Sequence, residues 1–218
     1  MTELSMHVDA LLAGRARAFR DDETSAIAKQ AVKGRAEIGF LGLKGDEQAD
    51  RVNHGGPDKA VHLYFQDHYP FWREFTGGHA LLEAPGAFGE NIAASGLDEE
   101  GICLGDRFRL GSVLLEVSHG RQPCWKLDHR FGRKDIMATV VRTGKCGVYF
   151  RVLEEGEAEA GDEMLLLDRP CPEMTVARLF GLLIGGGAKR DIAAVRALAD
   201  MPLLAEAWRS RARKLSGG

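Results

Sequence analysis

The chain has 218 residues and a net charge of −3, with 44% apolar and 28% charged types, proportions of an ordinary globular protein. That excludes a disordered chain, a collagen and a coiled coil, and the slight acidity argues against a nucleic-acid polymer as partner. No apolar run approaches the ~18 residues of a membrane span, and the polar start from Met1 to Asp9 lacks a signal-peptide pattern, so cytoplasm is the expected setting, without a membrane partner.

Along the chain, His7 to Leu12 half-alternates and predicts a first strand. Ala60-Val61-His62-Leu63-Tyr64 predicts a second, followed by a helix carrying Tyr69, Phe71, Trp72 and Phe75. Two runs, 106–110 and 113–117, flank Gly111-Ser112 and read as a two-residue hairpin. Residues 147–153 and 163–167 supply two more strands around an acidic turn. Glycine is in excess, 27 residues, as expected of many tight turns, and short strands between glycine turns imply a barrel or sandwich.

The character changes at Asp168-Arg169-Pro170, which divides the chain into 1–168, mainly β, and 169–218, a three-helix segment. Thr175 is placed to cap a helix whose Val176, Leu179, Phe180 and Leu183 share one face and which stops at Gly185-Gly186-Gly187. A second helix is expected near 191–199. Pro202 is placed for the first turn of a third, with Leu204, Ala207, Trp208 and Leu215. Such short helices need packing partners.

Three segments concentrate chemistry. The first runs from Gly42 to Val61, where glycines stand beside Lys44, His54 and Lys59 and can bring backbone N–H groups and cations to phosphate-like oxygens; it is no Walker loop. The spacing of His54 and His62, with Asp46 or Asp50 nearby, does not match a protein-bound zinc site. The second is Gly86 to Ile92, where Asn91 is suited either to a ring edge or to making the turn. The third is Ser118 to Leu127. There Pro123 is placed to open a short helix with Cys124 in its first turn, beside Arg121 and Lys126, surroundings that favour a thiolate. Cys103, Cys146 and Cys171 read as structural, and the absence of C-x-x-C argues against a zinc ribbon or a redox dithiol. Residues 121–151 carry eight basic groups against Asp128 and Asp135, the pattern either of a site for a compact anion or of a solvated helix face.

The run Gly42–Val61, Gly89-Glu90-Asn91-Ile92, Arg121 to Leu127 and Gly144-Lys145-Cys146-Gly147, in this order, resembles the MOSC family, named for the C-terminal domain of molybdenum-cofactor sulfurases. The last fifty residues resemble the three-helix extension of some bacterial members. The resemblance implies a MOSC-type β-barrel with short helices. It also implies a molybdenum cofactor, a phosphate-bearing pterin whose dithiolene holds the metal, with Cys124 as metal ligand and catalytic residue. Phosphate and pterin contacts are then expected from Lys44, His54, Lys59, Asn91, Arg121 and Arg142, the last because it lies in the basic stretch before Gly144. The implied activity is reduction of N-hydroxylated compounds such as hydroxylaminopurine-type base analogues, with a separate flavoprotein reductase as electron donor. The alternatives are a non-catalytic carrier of the cofactor, or of a persulfide on Cys124, and a metal-free thiol enzyme. His54 and His119 are candidate proton donors. The basic end (Arg209, Arg211, Arg213, Lys214) is either a docking face for the flavoprotein or a solvated helix face, and a homodimer is left open.

Overall fold

The computed structural model describes residues 4–47 and 55–217. Strand β1 (Ser5–Ala13) alternates, turning Met6, Val8 and Ala10 inward and His7 and Asp9 outward, as a pleat with one buried face requires. Strand β2 (Val61–Phe65) is buried at every residue, the sign of a strand covered on both faces. It runs parallel to β3 (Ile92–Ser95), with Leu63 beside Ile92, and the crossover carries helix α1 (Tyr69–Thr76). Strands β4 (Arg107–Leu110) and β5 (Val113–Gly120) form the expected hairpin, in which Leu110 pairs with Val113 and Gly111 supplies the positive φ of 55°. Strand β6 (Val148–Glu154) pairs with β5 and β2, and β7 (Glu163–Asp168) pairs with β4.

The circle closes because β7 also pairs with β1, Ser5 lying opposite Leu165. Seven strands in the order β7-β4-β5-β6-β2-β3-β1 therefore make a barrel, not a sandwich, and closure leaves these strands no free edge. Two short appendages sit on it: an exposed hairpin (Arg17–Arg20 with Glu23–Ser25), and Ala36–Gly39 paired with both Gly42–Leu43 and Gly156–Ala158.

Helices α2 (Trp125–Arg130) and α3 (Ile136–Thr143) fill the connection from β5 to β6. After β7 come α4 (Val176–Leu183), α5 (Ile192–Ala199) and α6 (Glu206–Leu215). Thr175 caps α4 by accepting from the N–H of Arg178, and Asp191 caps α5 by accepting from Ala194. Pro202 does not open α6. The N–H of Ala205 donates to the carbonyl of Ser118 on β5, and buried Leu204 and Ala205 hold this stretch against the barrel, so helix begins only at Glu206. Helix α4 lies on the end of β5. A Cβ at Gly120 would stand 3.2 Å from both Cys146 Sγ and Val176 Cγ1, so a glycine there permits the close approach.

Barrel and helices share one apolar core, in which Val117 and Phe150 are continuous with Leu179, Phe180 and Trp208. Arg151 of β6 ties the same junction with polar bonds, reaching Asp58 Oδ1, Glu116 Oε1 and the carbonyl of Leu203 at 2.8–2.9 Å. No described helix is long and apolar enough to cross a membrane.

Candidate functional site

Cys124 leaves β5 through Arg121-Gln122-Pro123 and is the N-cap of α2 in an extended conformation, one residue ahead of the first turn expected for it. Helix α2 has six residues, so the local field depends chiefly on neighbouring side chains rather than on a helix dipole. Cys124 is half-buried, and it lies where two chambers meet that also share Lys59, Arg121 and Tyr149. The other three cysteines are buried.

The first chamber, about 650 Å³ including the space toward solvent, runs from Cys124 toward the barrel. One wall is an ion pair between Lys29 and Asp46, whose side chains are 9% and 8% exposed. Asp46 also accepts from the N–H of Gly14 at 2.7 Å and from Asn91 Nδ2 at 2.8 Å. Burial lowers the Lys29 pKa, and the Asp46 carboxylate opposes that shift. Asn91 further donates to the carbonyl of Leu12 at 3.2 Å and accepts from the N–H of His62 at 3.2 Å. Its amide therefore joins β1, β2 and the Asp46 wall and fixes the turn that precedes β3.

Glu90 sets that turn from beneath. Fully buried, it accepts from Tyr69 Oη and from the N–H groups of Gly86 and Phe88, while Arg130 holds the carbonyls of Gly86 and Ala87. Lys126 is tethered to the outer hairpin, 3.5 Å from the Thr24 carbonyl and 3.7 Å from Glu23, and turns toward the same chamber.

Arg121 is 7% exposed, and its Nη1 is buried without a hydrogen-bond partner among the described residues. A buried, unsatisfied guanidinium nitrogen is costly, and it marks where an acceptor from a ligand would be received. Beside it, burial raises the phenol pKa of Tyr149; Arg121 opposes the shift and Cys124 adds to it. Burial together with Arg121 drives His62 well below the ordinary histidine range, so the imidazole is neutral near pH 7.

The second chamber opens on the other side of Cys124 and is larger, about 1160 Å³ including the space toward solvent. Its far wall is α6, through Trp208, Arg211 and Lys214. His119 lies between the rings of Tyr149 (5.2 Å) and Trp208 (5.3 Å). Burial, with Lys59 and Arg151 adding to it, pushes His119 well below the usual range, so this ring is neutral near pH 7 and is a poor proton donor.

Of the residues expected to surround a ligand, Lys59, Asn91, Arg121 and Cys124 come together. Lys44 and Arg142 do not. Lys44 ends a short hairpin and meets both oxygens of Glu37 at 2.8 Å, with its side chain 71% exposed. Arg142 sits in the last turn of α3, away from both chambers, 3.4 Å from Thr139 Oγ1. His54 lies outside the described residues. Lys29 and Tyr149 carry no ligand signal in the sequence, and Asp46 and His62 enter there only in a zinc arrangement whose spacing does not fit; long-range pairing brings all four here. Arg211 and Lys214 leave the expected basic face because their spacing from Trp208 places all three on one side of α6, while Arg209 and Arg213 pair with Glu206.

The thiols differ enough for a chemical test. Burial raises the pKa of Cys103 and Cys171 and carries Cys146 well above 9, so few thiolates exist at these positions near pH 8. Under native conditions iodoacetamide is expected to alkylate Cys124 first, read by peptide mass spectrometry. Prior labelling of Cys146 or Cys103 would contradict this arrangement.

The closed barrel and its cleft define a β-barrel protein organised around one half-buried thiol between two cation-bearing chambers. The model of the MOSC domain matches residues 50–165, and the chain belongs to that family. It is 42% identical over 186 residues to protein YflK of Bacillus subtilis, covering 85% of this chain and 82% of that one. It is likewise 42% identical over 167 residues to a protein of Gibberella moniliformis named Reductase, covering 75% of this chain and 30% of that longer one. The crystal structure of YiiM from Geobacillus stearothermophilus superposes with a TM-score of 0.81 at 31% identity, over 97% of this chain and 99% of that chain, which makes this a YiiM-type member.

Proposed function

We propose that this protein is a cytoplasmic reductase of N-hydroxylated compounds that holds a molybdenum cofactor in the first chamber, with Cys124 as the protein's ligand to the metal. The observation that carries the reading is the position of the Cys124 thiol, half-buried between a chamber walled by Lys29, Asp46 and Arg121 and a second chamber open to solvent. The residues present suit such a cofactor. The unpartnered Arg121 Nη1 provides for a phosphate or ring acceptor, Lys59 adds a cation, and a thiolate is the soft donor that molybdenum favours. Among the described residues no three His, Cys, Asp or Glu side chains form a metal-binding group, so Cys124 would serve as the chain's ligand to a metal that the cofactor itself carries. The relative named Reductase favours an enzyme over a carrier.

When bound, the cofactor supplies two-electron chemistry for cleaving an N–O bond. The chain's own work is positioning. Cys124 would hold the metal where the chambers meet, and Lys29–Asp46 with Asn91 makes a hydrogen-bonded wall of the first chamber. His62 and His119, held neutral near pH 7, are poor proton donors, and the open second chamber gives solvent access to Cys124. A separate flavoprotein supplies the electrons.

The test is expression in a host that makes the cofactor, anaerobic isolation, and molybdenum and pterin analysis, followed by turnover of N-hydroxylaminopurine with a chemical reductant. Stoichiometric molybdenum with turnover is expected. Bound pterin or persulfide without turnover would favour the carrier, and protein free of molybdenum would end the proposal.

A further inference from the structure

The charge of the second chamber is one-sided. Lys59, Arg121, Arg211 and Lys214 line it, and no Asp or Glu occurs among its described lining residues. The first chamber differs, because there Asp46 and Glu47 offset the cations. Other basic groups of α6 are already paired: Arg209 meets Glu206 at 2.7 Å and Arg213 meets it at 2.9 Å. Among the described residues no carboxylate pairs with Arg211 or Lys214, and positive charge gathered in a concave place favours a compact anion there.

The chamber is also aromatic. Tyr149, His119 and Trp208 succeed one another at ring separations of 5.2 and 5.3 Å, beginning beside Cys124. Trp208 to Lys214 is a rise of about 9 Å along α6, a span fitting a sugar between a flat ring and a phosphate. Arg211 is held in place by donating from Nε to the carbonyl of Leu183, and it lines the chamber.

We infer that the second chamber is the substrate vestibule, and that Arg211 and Lys214 select N-hydroxylated nucleobases carried as nucleoside monophosphates over free bases and nucleosides. The inference rests on the reductase reading only for where the N–O group lies, at Cys124. The ring lies along the aromatic row and the phosphate meets the cations of α6. The C-terminal helices thereby belong to the specificity of the site, beyond their part in the core. The phosphate of the cofactor is the competing source of the same chemistry, and the experiment separates the two.

Calorimetric titration of the protein isolated from a cofactor-producing host uses adenine, adenosine and adenosine 5′-monophosphate as unreactive probes. The monophosphate is expected to bind at least about tenfold more tightly than adenosine at low salt, and this ratio should fall toward one at high salt. In the Arg211→Ala/Lys214→Ala double variant the ratio should also fall toward one, with pterin content retained and circular dichroism unchanged. A monophosphate no tighter than adenosine, including no binding by either, overturns the inference. So does loss of pterin from the folded double variant, which would assign these cations to the cofactor. Monophosphate binding by protein that carries no molybdenum supports the vestibule while refuting the reductase reading.

Discussion

Cys124→Ala in the cofactor-loaded protein is expected to lower turnover of an N-hydroxylated purine by roughly a hundredfold or more, since loss of a metal's own protein ligand should exceed the cost of losing an outer-shell partner. The fold should survive. The thiol is half-buried and its side chain does not cap α2, so the substitution removes little packing, and a stability change within about 0.5 kcal/mol is expected. The useful readout is the separation of the two effects: an unchanged melting temperature with activity gone. Cys124→Ser, which offers a harder oxygen donor in the same place, should fall between wild type and alanine. Full activity in Cys124→Ala would refute the assignment of this thiol to the metal.

The second large effect is on stability, at Asp46. Removing its carboxylate in Asp46→Ala strips the partner from the Lys29 ammonium, the Gly14 N–H and the Asn91 amide together. A buried charge left unpaired costs about 3–5 kcal/mol, a large part of the stability of an ordinary domain. The penalty should depend on pH. Burial already holds Lys29 below its ordinary pKa, so the unfolded chain binds the extra proton. Stability lost to this group is therefore lost in full below the folded-state pKa and is regained as pH rises toward ~10.4, the unfolded value. Without Asp46 the folded pKa drops further, so the deficit against wild type should narrow as pH rises toward ~10.4, measured by urea unfolding. Adding Lys29→Met, which removes the stranded charge, should recover part of the loss. A deficit below about 1 kcal/mol, or strict additivity of the two substitutions, would show that the pair does not support the cleft wall.

The two predictions concern residues that were unequally visible in the sequence. Cys124 stands out locally, with proline before it and cations on either side. Asp46 lies in a loop crowded with charges, and nothing nearby in sequence marks it apart from Lys44. Its importance comes from Lys29 and Asn91, 17 and 45 residues away. Lys44 and Arg142 show the same rule in reverse. Each sits in a promising run of residues, and each is turned to another partner by the element that carries it.

What the sequence by itself determined was everything with a short-range cause. The Gly111-Ser112 hairpin, the Thr175 cap, the triple-glycine stop and the thiol at 124 all depend on residues within a few positions of one another. The family's motifs, read together, extended that to the barrel. Tertiary structure alone decided the parallel pairing of β2 with β3, the β1–β7 closure, the Lys29–Asp46 wall and the turning of Arg211 and Lys214 toward Cys124. Those outcomes depend on which distant segments share a core, and charge or hydropathy along the chain does not encode the direction in which a side chain points once they do.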